Sequence, residues 1–273
     1  MNSLMLNTDG VQIPQLGYGV WQVPAEEAEQ AVATAFKTGY RHVDTAAAYG
    51  NEEGVGRAVR GSGLPRAKIF VTTKLGNADH IRAAAAFDDC LARLGLDYVD
   101  LFLIHWPMPQ HGKYVQAWRA LEQLYRDGRV RAIGTSNFTV ATLTRLMDET
   151  DITPAINQIE LHPYLQQREL RAFHEANGIL TEAWSPLGQG RGLLDDPALR
   201  VLSDKYGKTP AQIVLRWHLQ LGNVVIPKSV TPTRIAENID VFDFILDAED
   251  IVAIGALNKG LRLGPDPETF NMM

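Results

Sequence analysis

Along this chain, short apolar runs alternate with longer stretches whose apolar residues recur at helical spacing. Compact runs bounded by turn residues read as strands, and recurrence every three or four residues reads as helix. The strand candidates are Leu16–Val20, Arg41–Asp44, Ile69–Thr73, Tyr98–His105, Val130–Ile133, Ala155–Ile159, Ile179–Ala183 and Val224–Ile226. Between them, helical patterns run from Ala28 to Phe36, stopping at Gly39, and over Glu52–Val59, Ile81–Leu94, Val115–Arg126, Thr139–Met147 and Glu169–Ala176. Thr209-Pro210-Ala211-Gln212 has a capping threonine, proline at the first helical position and glutamine where a capping box needs it; Thr231-Pro232 repeats the cap and the proline. Ahead of all this, Leu4–Leu6 and Val11–Ile13 flank an Asp9-Gly10 turn and predict a hairpin that plugs or caps the fold. Eight strands alternating with helices imply a parallel sheet, and eight is the number that closes a barrel. The expected fold is α/β, a (β/α)8 TIM barrel with an N-terminal β-hairpin. With no linker, low-complexity tract or repeat, residues 1–273 read as a single domain.

Three of these strands end on reactive groups. Val43 steps into Asp44, with Tyr49 five residues on in a loop; the Ile69 run ends at Lys74 and the Tyr98 run at His105. The C-terminal ends of parallel barrel strands share one face, so the four side chains can converge. A phenol with a pKa near ~10 is a poor proton donor at neutral pH, and a neighbouring ammonium lowers it. Lys74 is expected to do this for Tyr49, with Asp44 holding Lys74 charged and His105 fixing a substrate oxygen. That is a general-acid site aimed at a carbonyl. Two other readings stand beside it. A desolvated barrel lysine also serves Schiff-base lyases, with Lys74 as nucleophile. A barrel can also keep a dinucleotide site and lose its chemistry, leaving a non-catalytic NADPH-binding module.

Composition narrows the setting. Of 273 residues 45% are apolar, enough for a large core, and a net charge of -6 with interspersed signs argues against a nucleic-acid surface. Cys90 is the only cysteine, which suits a reducing compartment. The stretch Met1–Met5 lacks the regions of a signal peptide, and no apolar run is long enough for a bilayer. A cytoplasmic monomer acting on a small molecule, without nucleic acid or membrane, is expected. His42, His80, His111, His162, His174 and His218 show no metal-ligand pairing, so no metal is expected.

A reductase needs a hydride source, yet the usual dinucleotide fingerprint is missing. Gly54-Val55-Gly56 resembles it faintly but falls inside a predicted helix. The glycine-rich loop Ser185–Gly192 and the loop Pro227-Lys228-Ser229-Val230, after the seventh and eighth strands, are better placed for phosphate. The helix start at Thr231 offers free N–H groups, and Lys228 and Arg234 add charge. Arg234 in a first helical turn opposes the helix dipole unless an anion is bound there.

These segments together are similar to the aldo-keto reductase superfamily. The resemblance rests on Gly39–Asn51 with Asp44 and Tyr49, on Lys74, Ile104-His105-Trp106-Pro107 and Gly134-Thr135-Ser136-Asn137-Phe138, and on Asn157-Gln158, Ser185-Pro186-Leu187-Gly188 and Ile226-Pro227-Lys228-Ser229. Within the family it is strongest to bacterial 2,5-diketo-D-gluconate reductases, through Pro14–Val20, Thr209–Gln212, Val241-Phe242-Asp243-Phe244 and Trp184. The resemblance implies NADPH-dependent reduction of aldehydes and ketones, with 2,5-diketo-D-gluconate and small α-dicarbonyls as suggested substrates. It implies a tetrad of Asp44, Tyr49, Lys74 and His105, with Tyr49 as acid. Trp184 would stack on the nicotinamide, while Ser136, Asn137 and Gln158 would bond its carboxamide. Ser185, Leu187, Gly188, Gln189 and Gly190 would line the pyrophosphate. Lys228, Ser229, Val230 and Arg234 would hold the 2′-phosphate, with Glu237 and Asn238 at the adenine and Trp21 and Trp106 walling the substrate pocket. One departure is Gly76, where many relatives carry tryptophan. The tail after Lys259, short and rich in glycine and proline, offers little further to read.

Overall fold

The computed structural model describes residues 5–8 and 10–272. Strands β1 (Met5–Thr8) and β2 (Val11–Pro14) pair antiparallel with Leu6 opposite Ile13, as the hairpin expectation required. Leu4 and Asp9 of that expectation lie outside the described residues. Eight parallel strands follow in hydrogen-bonded chain order: β3 (Tyr18–Gly19), β4 (His42–Asp44), β5 (Phe70–Leu75), β6 (Val99–Ile104), β7 (Val130–Ser136), β8 (Ile156–Glu160), β9 (Leu180–Trp184) and β10 (Val224–Val225). The first edge meets the last: Gly17 N–H donates to Val225 O at 2.9 Å, and Val225 N–H donates to Gln15 O at 2.9 Å. The sheet is thus closed into a barrel.

Around it run α1 (Ala25–Thr38), α2 (Glu52–Gly61), α3 (Ala83–Leu94), α4 (Tyr114–Arg126), α5 (Val140–Glu149), α6 (Arg168–Ala176), α7 (Pro197–Tyr206), α8 (Pro210–Gln220), α9 (Pro232–Ile239) and α10 (Ala248–Gly255). Strand alternation sorts the core into two parts. On β6, Phe102 and Ile104 face the large cluster between sheet and helices, whereas Leu101 and Leu103 face the barrel interior. That interior cluster includes Val11 and Ile13 of the hairpin and the opening residues of four strands, Phe70, Ile156, Leu180 and Val224. The hairpin therefore closes the N-terminal end, leaving the C-terminal end for chemistry.

Several local expectations need amendment. The pattern over Ile81–Leu94 splits into a 3-10 turn, Asn77–Arg82, and α3; Ile81 is 67% exposed, so its apolar side chain never joined the helix stripe. Strand β7 runs on through Gly134, Thr135 and Ser136, and α7 and α10 were not anticipated. Thr209 makes the full capping box with Gln212, but Thr231 caps nothing with its side chain; its own N–H instead donates to Ser229 Oγ at 3.1 Å. Gly56 has a packing role, since a Cβ there would stand 1.8 Å from Leu94 O. Its bare Cα lets α2 lie against the end of α3, so packing is enough to account for this glycine.

Candidate active site

Inward positions near the C-terminal ends of neighbouring strands converge. Asp44 closes β4 and Lys74 lies one residue before the end of β5. Both are sealed from solvent, at 2% and 0% exposure. Lys74 Nζ donates to Asp44 Oδ1 at 2.8 Å and Oδ2 at 2.7 Å, to Thr45 O at 2.8 Å, and reaches Tyr49 OH at 3.4 Å. Tyr49 ends a 3-10 turn that Asn51 ties down: the Asn51 amide donates to Val20 O and Val23 O, and Thr45 donates to Asn51 Oδ1. His105, just past β6, sets its ring edge-on to Tyr49 with centroids 5.6 Å apart. The structure brings the four together as the strand-end argument required.

Electrostatics amend one step. Burial pushes the Tyr49 phenol above its ordinary value; the Lys74 charge and hydrogen bond oppose this without reversing it, while Asp44 adds to the rise. Lys74 thus acts in the expected direction, but desolvating a phenolate outweighs one nearby ammonium already shared with a carboxylate, so the net shift is upward. Burial works against the Lys74 ammonium too, but Asp44 with Tyr49 and Glu182 outweighs it and holds Lys74 above the usual lysine range. His105 is lowered to about 3 by burial, with Lys74 adding, so its ring is neutral at pH 7.

The residues assigned to a nicotinamide form one connected shelf. Half-buried Trp184 ends β9, and its Nε1–H donates to Asn137 Oδ1 at 2.8 Å. The Asn137 amide donates to His105 O and Ser136 Oγ, and Ser136 donates to Gln158 O. Gln158 turns its amide nitrogen toward two carboxyls, Asp44 Oδ1 at 2.8 Å and Glu182 Oε2 at 3.0 Å. Neither Glu182 nor this bridge was foreseen; an acid inside the strand run Ile179–Ala183 was the available signal.

The first of the expected phosphate loops is largely half-buried and the second more exposed. Ser185 and Gln189 take left-handed backbone angles, φ 50° and 53°, with Leu187, Gly188 and Gly190 beside them, and Gln189 donates to Ser185 Oγ. Lys228 and Arg234 are exposed and form no ion pair among the described residues. Val230 is 41% exposed, and no side chain caps the first turn of α9. Glu237 accepts from Thr209, and Asn238 is buried beside it. Free cations, an uncapped helix start and a left-handed glycine loop fit a phosphorylated dinucleotide.

Trp106 is buried and Trp21 is 43% exposed. The tail, which looked uninformative, packs against Trp106. Phe270 packs on Trp106 with centroids 4.3 Å apart, and Asn77, next to Gly76, donates to Met272 O at 2.9 Å. Glu160 at the end of β8 accepts N–H bonds from Leu263 and Gly264, and a Cβ on Gly264 would lie 2.5 Å from the Trp184 ring. A separate cavity of about 700 Å³, lined by Arg171, Trp217 and Ile251 among others, contains none of these residues.

The aldo/keto reductase family model matches residues 14–259. An aldo-keto reductase of Mycolicibacterium smegmatis is 58% identical over 265 residues, covering 96% of each chain. Methylglyoxal reductase DkgA of Escherichia coli is 55% identical over 263 residues, again 96% of each. Among solved structures, an aldo/keto reductase from Brucella melitensis superposes with TM-score 0.92 at 55% identity, covering 94% of this chain and 99% of that one. A Gox0644 mutant in complex with NADPH gives 0.95 at 47% identity and 99% coverage of both. The chain belongs to the aldo/keto reductase family, and is an NADPH-dependent oxidoreductase that reduces carbonyl groups on a (β/α)8 barrel.

Proposed function

We propose that Tyr49 is the general acid of this reaction and that 2,5-diketo-D-gluconate or small α-dicarbonyls such as methylglyoxal are the substrates. The observation that carries the reading is the position of Lys74 Nζ, shared between Asp44, Thr45 O and the Tyr49 hydroxyl, with Lys74 and Asp44 out of solvent. When bound, NADPH supplies the hydride. Tyr49 is neutral at pH 7 and so carries the proton that an alkoxide needs; Lys74 stabilises the phenolate left behind. His105 Nδ1 is buried with no partner. A buried N–H without an acceptor is rarer than a vacant lone pair, so the ring proton belongs on Nε2, where it donates to the substrate oxygen. Trp184 forms the nicotinamide platform, Gln158 with Ser136 and Asn137 holds the carboxamide, and Lys228, Ser229 and Arg234 hold the 2′-phosphate. DkgA, so similar over nearly the whole chain, supports the dicarbonyl class.

The test follows NADPH oxidation with methylglyoxal, 2,5-diketo-D-gluconate and a simple aromatic aldehyde, wild type beside Tyr49→Phe. Turnover by wild type with dicarbonyls leading, and loss of about 10²-fold or more in Tyr49→Phe with NADPH affinity kept, is expected. Equal turnover by the variant would remove Tyr49 from the role, and a preference for the aromatic aldehyde would remove the substrate class.

A further inference from the structure

Glu182 sits in the middle of β9 with no exposure, inside the barrel and one inward position before Trp184. Its Oε2 accepts from Gln158 Nε2 at 3.0 Å, and the same nitrogen donates to Asp44 Oδ1 at 2.8 Å. Its Oε1 has no hydrogen-bond partner and lies 3.9 Å from His42 Nε2. One amide group therefore joins two carboxyls, and only one of them, Asp44, has the lysine.

The groups acting on Glu182 define its behaviour. From β4 come His42 and Asp44, from β5 Lys74, and from β8 the uncharged Gln158; Tyr49 lies beyond Lys74, and the facing residue on β10 is Val224. His42 supplies no charge at neutral pH, since burial lowers it to about 4 and its nitrogens face Pro14 O and Thr72 Oγ1. Burial and the Asp44 charge push Glu182 up to about 8, with Gln158 and Lys74 resisting. The Glu182 carboxyl is thereby favoured in its protonated form, since ionising it would place a second buried negative charge beside Asp44.

We propose that Glu182 is a positioning residue for the reduction: its proton, held or lost, sets through Gln158 and Asp44 how strongly Lys74 supports proton transfer from Tyr49. Protonated, it leaves the whole Lys74 charge to Asp44 and the developing Tyr49 phenolate. Ionised, it competes for that charge and makes Tyr49 a weaker acid. The proposal rests on Tyr49 being the acid. It also gives a reason for an acid in the middle of a barrel strand, since a leucine there would leave half of the Gln158 amide without an acceptor.

Two measurements test it on the full-length protein. Infrared titration without cofactor should show a protonated-carboxyl band that disappears with a midpoint near pH 8 and is missing in Glu182→Gln. The pH profile of kcat for carbonyl reduction should fall about three- to tenfold through that same midpoint in wild type, the response to roughly one pH unit of acid strength. Glu182→Gln should lose that fall at pH 8 and Glu182→Asp should restore it, with the KM for NADPH unchanged in both. A band absent from wild type, or one profile shared by wild type and Glu182→Gln, overturns the proposal while leaving Tyr49 in place. A Tyr49→Phe variant that turns over like wild type removes the acid itself and the proposal with it.

Discussion

Lys74 Nζ stands 2.7 and 2.8 Å from the two oxygens of Asp44, with both side chains out of solvent. A buried ammonium is tolerable only while that carboxylate faces it. Asp44→Asn is expected to cost about 3–5 kcal/mol of stability, because it strands the charge. Adding Lys74→Met should recover much of the loss, and urea unfolding of the single and double variants measures the coupling. Simple additivity would show that the two residues do not depend on each other.

Exposed Arg234, in the first turn of α9, is placed for the phosphate that distinguishes NADPH from NADH. Arg234→Ala should weaken NADPH by about 10- to 100-fold, the worth of one charge-assisted contact, and leave NADH nearly unchanged. Fluorescence titration with each cofactor reads the ratio. Equal losses would place Arg234 elsewhere.

Five histidines are held neutral by burial: His42, His80 and His174 are lowered to about 4, and His105 and His218 to about 3. In the unfolded chain a histidine titrates near ~6.5, so on acidification the unfolded state takes protons first. Their contribution is complete above that value and is lost as pH falls toward 4. Glu182, raised to about 8, works in the opposite direction over part of the same range, but it is one group against five. The urea midpoint should therefore be clearly lower at pH 5 than at pH 7, and an unchanged midpoint would contradict neutral burial.

Gly56 separates a packing role from a nucleotide role. Gly56→Ala drives a methyl toward Leu94 O, only 1.8 Å from the ideal Cβ position, so α2 and α3 must part. A loss of about 1–3 kcal/mol or more is expected, with NADPH affinity at native conditions unchanged. Thermal unfolding and cofactor titration together decide. Weakened cofactor binding at full stability would revive the fingerprint.

Much of this was legible along the chain. Strands such as Tyr98–His105 announce themselves as short continuous apolar runs, and helices such as Val115–Arg126 through a period of 3.6, both local properties of the chain. Because parallel strands share one direction, the tetrad of Asp44, Tyr49, Lys74 and His105 could be assembled before any coordinate existed. Ile81 misled for the same local reason, since an apolar residue in register with a helix need not be buried.

What the sequence by itself determined is thus the alternation, the eight strands and which strand ends carry the ionisable groups Asp44, Lys74 and His105. Tertiary structure alone decided the quantities that depend on distant neighbours. Closure through Gln15, Gly17 and Val225 joins residues some 210 positions apart, and the tail reaches Trp106 and Trp184 only because the barrel mouth lies beneath it. Whether the phenol of Tyr49 rises or falls depends on how completely water is excluded, and Gln158 bridges Asp44 and Glu182 only because closing the sheet brings β4 across the barrel to neighbouring β8 and β9. Periodicity is written residue by residue, whereas desolvation and cross-barrel hydrogen bonds are sums over everything packed around a group.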